Sequence, residues 1–146
     1  MHIRRLAPTE LHRIAHLRAA LWPDSAIEDL AATIAAQPEY LVLIALEGDE
    51  PAGFAEISLR RGDVNGRETS PVAFLEGICV DPAHRRKGIA RALVEKALEW
   101  GRERGVSEFA SEALLANGVS HAFHRAIGFA ETERVVCFRW PIAASA

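Results

Sequence analysis

The stretch from residue 74 to residue 91 constrains this chain more than any other. An apolar, strand-like run, Phe74-Leu75-Glu76-Gly77-Ile78-Cys79-Val80, stops at Asp81-Pro82. A basic turn, His84-Arg85-Arg86-Lys87, then leads through Gly88 into a helical pattern with Ile89, Leu93, Ala97 and Leu98 on one face. Backbone N–H groups at a helix N-terminus point outward without intrahelical partners and attract anions. Gly88 lets the main chain approach a ligand, and Arg85, Arg86 and Lys87 add positive charge. The product is a pyrophosphate cradle directly after a strand. It is neither a Walker loop nor a GxGxxG dinucleotide turn. On its charges alone the segment is a solvated basic turn; the order of strand, Asp-Pro, basic turn, glycine and amphipathic helix is much rarer by chance.

The rest of the chain reads as alternating helices and strands with no internal repeat or linker. Residues 1–6 form a short strand, and Pro8-Thr9 opens a helix carrying Leu11, Ile14, Ala15, Leu17 and Leu21. Trp22-Pro23-Asp24-Ser25 breaks it, and Ser25 or Asp24 caps a second helix through about Ala36. Strands at 40–47 and 52–60 are joined by a turn, Gly48-Asp49-Glu50-Pro51. A polar loop over 61–70 precedes a strand at 71–80 and the long helix at 88–104. The expected remainder is a strand at 106–111, a helix at 117–127 stopped by Gly128, and a last strand at 135–140. This order makes one α/β (α+β) domain over residues 1–146, a mixed central sheet flanked by about four helices.

Composition excludes several classes. A formal net charge of −3 over 146 residues argues against general nucleic-acid binding, which wants a basic stripe, and suits a cationic partner. Cys79 and Cys137 both lie in apolar, strand-like runs without the short spacing of a metal site or a disulfide framework. No metal is expected. Arg4, Arg5, Glu10 and Arg13 interrupt the N-terminal apolar pattern, and the longest apolar run, 40–46, is too short to span a bilayer. The expectation is a cytoplasmic protein with no membrane partner.

Glu76 is the charged exception in the run Val72-Ala73-Phe74-Leu75-Glu76-Gly77-Ile78. A carboxylate there must be paired, solvated or at an edge. By strand alternation it shares a face with Ile78. A carboxylate beside an acceptor amine can hold the ammonium and take its proton, directly or through water. Glu76 is therefore the candidate acceptor-site base, against the alternative of an edge or salt-bridged glutamate. Trp22 offers an aromatic face to a sugar or cation. Asp63, Glu112 and Glu133 supply carboxylates from separate segments, although each taken singly is an ordinary solvated charge.

Arg85-Arg86-Lys87-Gly88-Ile89-Ala90 resembles the Arg/Gln-x-x-Gly-x-Gly/Ala signature of the GNAT superfamily of N-acetyltransferases. Asn117 with Phe123-His124-Arg125-Ala126-Ile127-Gly128-Phe129 resembles that family's Asn…Phe-Tyr-x-x-x-Gly-Phe segment. The resemblance implies acetyl-CoA as co-substrate. Arg85, Arg86, Lys87, Gly88, Ile89, Ala90 and Arg91 would hold its pyrophosphate. Ile78, Cys79 and Val80 would pair with the pantetheine arm, and Asn117 would lie near the thiol. His124 stands where many members carry the tyrosine that protonates the leaving thiolate. An imidazolium can do that work, or the ring packs against the sheet.

A narrower likeness covers most of the chain. Leu21-Trp22-Pro23, Val64-Asn65-Gly66, the block from Ser70 to Ile78 and Gly128-Phe129-Ala130-Glu131-Thr132-Glu133-Arg134-Val135 resemble aminoglycoside 6′-N-acetyltransferases of the chromosomal enterobacterial and Acinetobacter type. That likeness implies drug contacts at Trp22, Glu76, Glu112 and Glu133, and a homodimer. Two positions depart. Glu112 replaces an aspartate, which keeps the charge on a longer arm, and Asp63 replaces an aromatic, which removes a stacking surface. The implied reaction is direct attack of the 6′-amine on acetyl-CoA. Alternatives are another acceptor, such as a polyamine, a protein amine or an aminoacyl-tRNA, a ping-pong route through Cys79 or Cys137, and a non-catalytic acyl-CoA-binding regulator.

Overall fold

Five strands cross one sheet in chain order: β1 (His2–Arg5), β2 (Leu41–Glu47), β3 (Glu50–Arg60), β4 (Val72–Val80) and β5 (Phe109–Ala110). The first four are antiparallel neighbours, and β5 lies parallel to β4. A parallel pair needs a long crossover, and here α3 (Ile89–Glu103) supplies it. The computed structural model describes residues 1–62 and 64–143 and divides into two compact units, Met1–Glu112 and Ala113–Ala146.

The sheet belongs to the first unit, and its two faces are covered differently. A 3₁₀ helix (Pro8–Ile14), α1 (Ala15–Leu21) and α2 (Ile27–Ala36) carry Leu11, Ile14, Leu17 and Leu30 onto one face, against Tyr40, Val42, Ile44 and Phe54. The opposite face receives α3. A side chain at Gly53 would come within 3.1 Å of Ile89 Cγ2 and 3.0 Å of the Cys79 carbonyl, so the absence of a Cβ sets how closely α3 approaches β3.

Several boundaries differ from the sequence expectation. The first helix winds as 3₁₀ through Ile14 before becoming α-helical, with Glu10 reaching back to the Ala7 N–H at 3.1 Å. Neither Asp24 nor Ser25 caps the second helix. Ala26 holds that position, and the Asp29 carboxylate accepts from its N–H at 2.9 Å. The hairpin turn tightens to Gly48-Asp49, since Gly48 supplies the positive φ (+60°) that a two-residue hairpin needs at its first position. The strand expected over 106–111 shrinks to Phe109–Ala110, which pairs with β4 at two positions only, Ala73 and Phe74.

The alternation of β4 is broken at Glu76. Ile57 lies opposite Leu75 and Glu56 opposite Gly77, so Glu76 is the extra residue of a β-bulge. Ile78 falls opposite Ala55, on the α3 face, while the Glu76 carboxylate bonds Ser58 on the other. The expected shared face of Glu76 and Ile78 is therefore not found. One inserted residue reverses every side chain after it.

The second unit contains α4 (Gly118–Ile127). Asn117 caps it, its Oδ1 accepting from Ser120 N at 3.1 Å, and Gly128 ends it with φ +128°. The last expected strand is absent: residues 129–143 carry no regular structure. Val136, Phe138 and Trp140 are 73, 92 and 91% exposed, and Cys137 is exposed with them. A strand needs a neighbour for its backbone groups and a face to bury, and this unit supplies neither.

Candidate active site

The turn after β4 is built by its own polar groups. Asp81 Oδ1 accepts from Ala83 N at 2.9 Å, and its carbonyl accepts from His84 N at 2.9 Å. His84 is thereby tucked under the turn, nearly buried, while Arg85, Arg86, Lys87 and Gly88 are exposed. Arg86 (φ +63°) and Gly88 (φ +77°) both adopt the left-handed region. For arginine this is an uncommon and strained conformation of the kind that gathers at ligand sites. Alternating handedness turns successive N–H groups to one side, making a concave anion seat. It opens onto the N-terminus of α3, where Ile89 is buried, Ala90 half-buried and Arg91 exposed. Among the described residues, chain neighbours aside, nothing lies within 4 Å of where a Gly88 Cβ would be, so the seat is open above it.

Among the described residues the neighbouring edge of β4 is open too. Its ladder to β5 is recorded at Ala73 and Phe74 only, so Ile78, Cys79 and Val80 run past the end of the pairing, half-buried. An unpaired strand edge presents a row of N–H and C=O groups to any extended ligand. A long amide-bearing arm ending in a pyrophosphate fits this edge-plus-seat arrangement. Burial pushes the Cys79 thiol up from its ordinary value, which disfavours the thiolate that a ping-pong route would need.

On the opposite face lies a cleft of about 630 Å³ whose walls include Trp22, Asp24, Asp29, Tyr40, Glu56 and Glu76. Four carboxylates and one guanidinium, Arg18, face it. The Trp22 ring forms one wall, edge-on to Phe54 at 6.2 Å and lying over Gly77. Beneath it Arg18 and Glu56 make a buried ion pair, Arg18 Nε donating to Glu56 Oε2 at 2.7 Å, with Tyr40 Oη donating to Oε1 at 2.7 Å. Arg18 Nη1 also reaches Ser25 Oγ at 2.8 Å, and the guanidinium lies 4.9 Å from the Trp22 ring centre. This network fixes the 22–25 turn to the sheet. Burial, and next the Glu56 charge, push the Tyr40 hydroxyl far up from its ordinary value.

Glu76 occupies the bulge at the cleft's edge. Its Oε1 accepts from Ser58 Oγ (2.6 Å) and Arg60 Nε (3.0 Å), and its Oε2 from Arg60 Nη2 (2.8 Å). It also lines a second cleft of about 500 Å³ with Thr33, Gln37, Ser58 and Arg60. Of the residues singled out in the sequence, Trp22 and Glu76 are brought to one cleft. Glu112 is exposed beyond β5, and Asp63 lies outside the described residues. Asn117, His124 and Glu133 belong to the second unit, where Glu133 is exposed. His124 Nδ1 lies 2.7 Å from the Ser120 carbonyl, with Phe129 packed at 5.2 Å. A carbonyl can only accept, so Nδ1 carries a proton there. Among the described residues no group of three or more His, Cys, Asp or Glu side chains is placed to hold a metal ion.

Glu56, Arg18 and Arg60 were not singled out. Glu56 and Arg60 stand two and six residues after Phe54 on one face of β3, and Glu56 is as charged an exception in its apolar run as Glu76 is in its own. That signal was available. The identity of each partner was not, because Arg18 and Glu56 are separated by 38 positions.

An open β4 edge feeding a backbone anion seat beside an acidic cleft defines an acyl-CoA acyltransferase, and the comparisons agree. The chain belongs to the acetyltransferase (GNAT) family, whose model matches residues 7–129 and whose acyl donor is acetyl-CoA. It is 44% identical over 147 residues to the aminoglycoside N(6′)-acetyltransferase type 1 of Stenotrophomonas maltophilia, covering 99% of this chain and 95% of that one. To the enzyme of the same name from Serratia marcescens it is 48% identical over 128 residues, covering 84% of this chain and 87% of that one. The fold matches the ligand-free aminoglycoside antibiotic 6′-N-acetyltransferase of Acinetobacter haemolyticus with a TM-score of 0.89 at 43% identity, over 98% of this chain and all of that one. It also matches an AAC(6′)-Iy enzyme in complex with the bisubstrate analogue CoA-S-monomethyl-acetylneamine, with a TM-score of 0.88 at 36% identity, over 97% of this chain and 98% of that one.

Proposed function

We propose that this chain transfers the acetyl group of acetyl-CoA to the 6′-amine of an aminoglycoside, and so confers resistance to such drugs. One observation carries the reading: Glu76 stands on the wall of a cleft faced by four carboxylates, two residues before the open β4 edge at Ile78. The full-length likeness to aminoglycoside N(6′)-acetyltransferases supports the choice of acceptor. So does the chemistry, since a polycation is favoured where several carboxylates converge.

In this account pantetheine adds to β4 along Ile78, Cys79 and Val80. Arg85, Arg86, Lys87 and Arg91 neutralise the pyrophosphate above the N–H groups of Gly88, Ile89 and Ala90, and Asn117 lies near the thiol. The acceptor rests on the Trp22 ring, with its ammonium groups met by Glu76, Glu112, Glu133 and Asp63. Glu76 takes a proton from the 6′-ammonium, directly or through water, and the neutral amine attacks the thioester carbonyl. Backbone N–H groups of β4 after Glu76 steady the oxyanion. His124 protonates the departing thiolate through Nε2, because Nδ1 is engaged by the Ser120 carbonyl.

The two units act together as one N-acetyltransferase domain, a reading supported by a family match that runs across both. The active form is a homodimer, supported by the exposed apolar side chains Val136, Phe138, Trp140 and Ile142, which a second copy would cover. Among the described residues no helix is long and apolar enough to cross a membrane. Placement in the cytoplasm, with no membrane or nucleic-acid partner, is the reading that the use of acetyl-CoA and the charge of −3 support.

Glu76→Gln tests the assignment of the base. Its kcat falls by about 10²- to 10⁴-fold while acetyl-CoA binding, read by calorimetry, is unchanged. An unimpaired kcat would remove Glu76 from the chemistry.

A further inference from the structure

The two arginines of the acceptor clefts are held in opposite ways. Arg18 is locked: its side chain is 9% exposed, and it bonds Glu56, Ser25 and the Ala26 carbonyl at once. Arg60 is at the end of β3 with 38% of its side chain exposed. Its guanidinium rests on the Glu76 carboxylate through two hydrogen bonds of 3.0 and 2.8 Å and lies 3.6 Å from the Phe74 ring centre. Glu76, held by the Ser58 hydroxyl, and the Phe74 face thus form a box for a cation, and a cation of the protein's own is already in it. A carboxylate and an aromatic face are equally suited to an alkylammonium.

We propose that Arg60 is a built-in competitor for the acceptor's ammonium, which leaves Glu76 when the substrate binds. The proposal rests on the reading of Glu76 as the acceptor-site carboxylate. The half-buried Glu76 carboxylate needs a partner in the absence of substrate, and Arg60 supplies one. The exchange is feasible because the arm is long, starts at a strand end, and borders the second cleft, where it can withdraw toward solvent. Substrate affinity is then a difference between two cations on one carboxylate, and Arg60 is a residue that sets it.

The test is calorimetric titration of kanamycin into the coenzyme A complex of the wild type and of Arg60→Ala, Arg60→Lys and Glu76→Gln. The proposal predicts that Arg60→Ala lowers the Kd by about two- to fivefold, with Arg60→Lys in between, because an ammonium lacks the two-pronged fork. In Arg60→Ala, added guanidinium ion at millimolar concentration restores the weaker Kd competitively and leaves the wild type unaffected, which a merely structural role would not produce. An unchanged or raised Kd in Arg60→Ala, with Glu76→Gln binding more weakly than wild type, overturns the proposal and leaves Glu76 as the acceptor carboxylate. An unchanged Kd in Glu76→Gln overturns both.

Discussion

The Trp22 ring occupies the space in which a side chain on Gly77 would have to stand. A Cβ built on Gly77 overlaps the ring and lies 2.9 Å from Leu21 Cδ2. The end of α1 and the residue after the Glu76 bulge are therefore fitted to each other, and that fit places an aromatic wall beside the Glu76 carboxylate. Gly77→Ala must push Trp22 aside. Overpacking of this kind costs about 1–3 kcal/mol, so a lowered midpoint in thermal unfolding is expected, together with a raised KM for the aminoglycoside. An unaltered midpoint and KM would mean that the ring does not press on Gly77.

The Arg18–Glu56 pair is expected to matter more to stability than its neighbours on the surface. Glu56 is fully buried, and removing its charge strands a guanidinium in the sheet. Breaking a buried pair from one side costs about 3–5 kcal/mol. Urea unfolding of Glu56→Gln should show a loss of that order. A loss below about 1 kcal/mol would fit an exposed pair instead.

Tyr40 is the chain's one tyrosine, so the phenolate absorbance reports it alone. Burial and the Glu56 carboxylate hold its hydroxyl far above the ordinary value of 10. Its neutral form thus stabilises the fold below pH 10, and that contribution is lost as the pH rises further. Titration of the folded protein should show no phenolate at pH 10.5, with phenolate appearing only together with unfolding. A reversible titration near pH 10 in folded protein would place the hydroxyl in water.

Glu10 gives the opposite sign. The Arg4 guanidinium, then the Ala7 N–H, draw its carboxyl down from 4.5 to about 2. A depressed carboxyl stabilises the fold above its unfolded value, and the contribution disappears as pH falls through the folded one. The Tm difference between wild type and Glu10→Gln should accordingly be constant at neutral pH, shrink below pH 4.5, and vanish near pH 2. A difference that persists at pH 2 would assign the effect to packing.

What the sequence shows of this molecule divides along the range of the interactions. The strand, basic turn and helix at 74–91 are legible because each depends on neighbours in the chain: an apolar run, a proline, a glycine able to take a positive φ. The Glu76 bulge was not legible, because a bulge is a property of two strands in register, and β3 marks it only by which residue meets Leu75. The same holds for Arg18 and Arg60, whose partners Glu56 and Glu76 lie 38 and 16 positions away in the chain. At 135–140 the apolar residues suggest a strand, yet alternation describes what a chain can pair with and supplies no partner. The Arg86 backbone, left-handed without being glycine, left no trace in composition at all.

The most direct test of the account is release of free thiol from acetyl-CoA in the presence of two kanamycin-type drugs, one bearing a 6′-amine and the other a 6′-hydroxyl. The account predicts turnover with the 6′-amine alone. Turnover with neither, in protein that still binds acetyl-CoA tightly, would contradict it and leave an acetyltransferase whose acidic cleft serves a different amine.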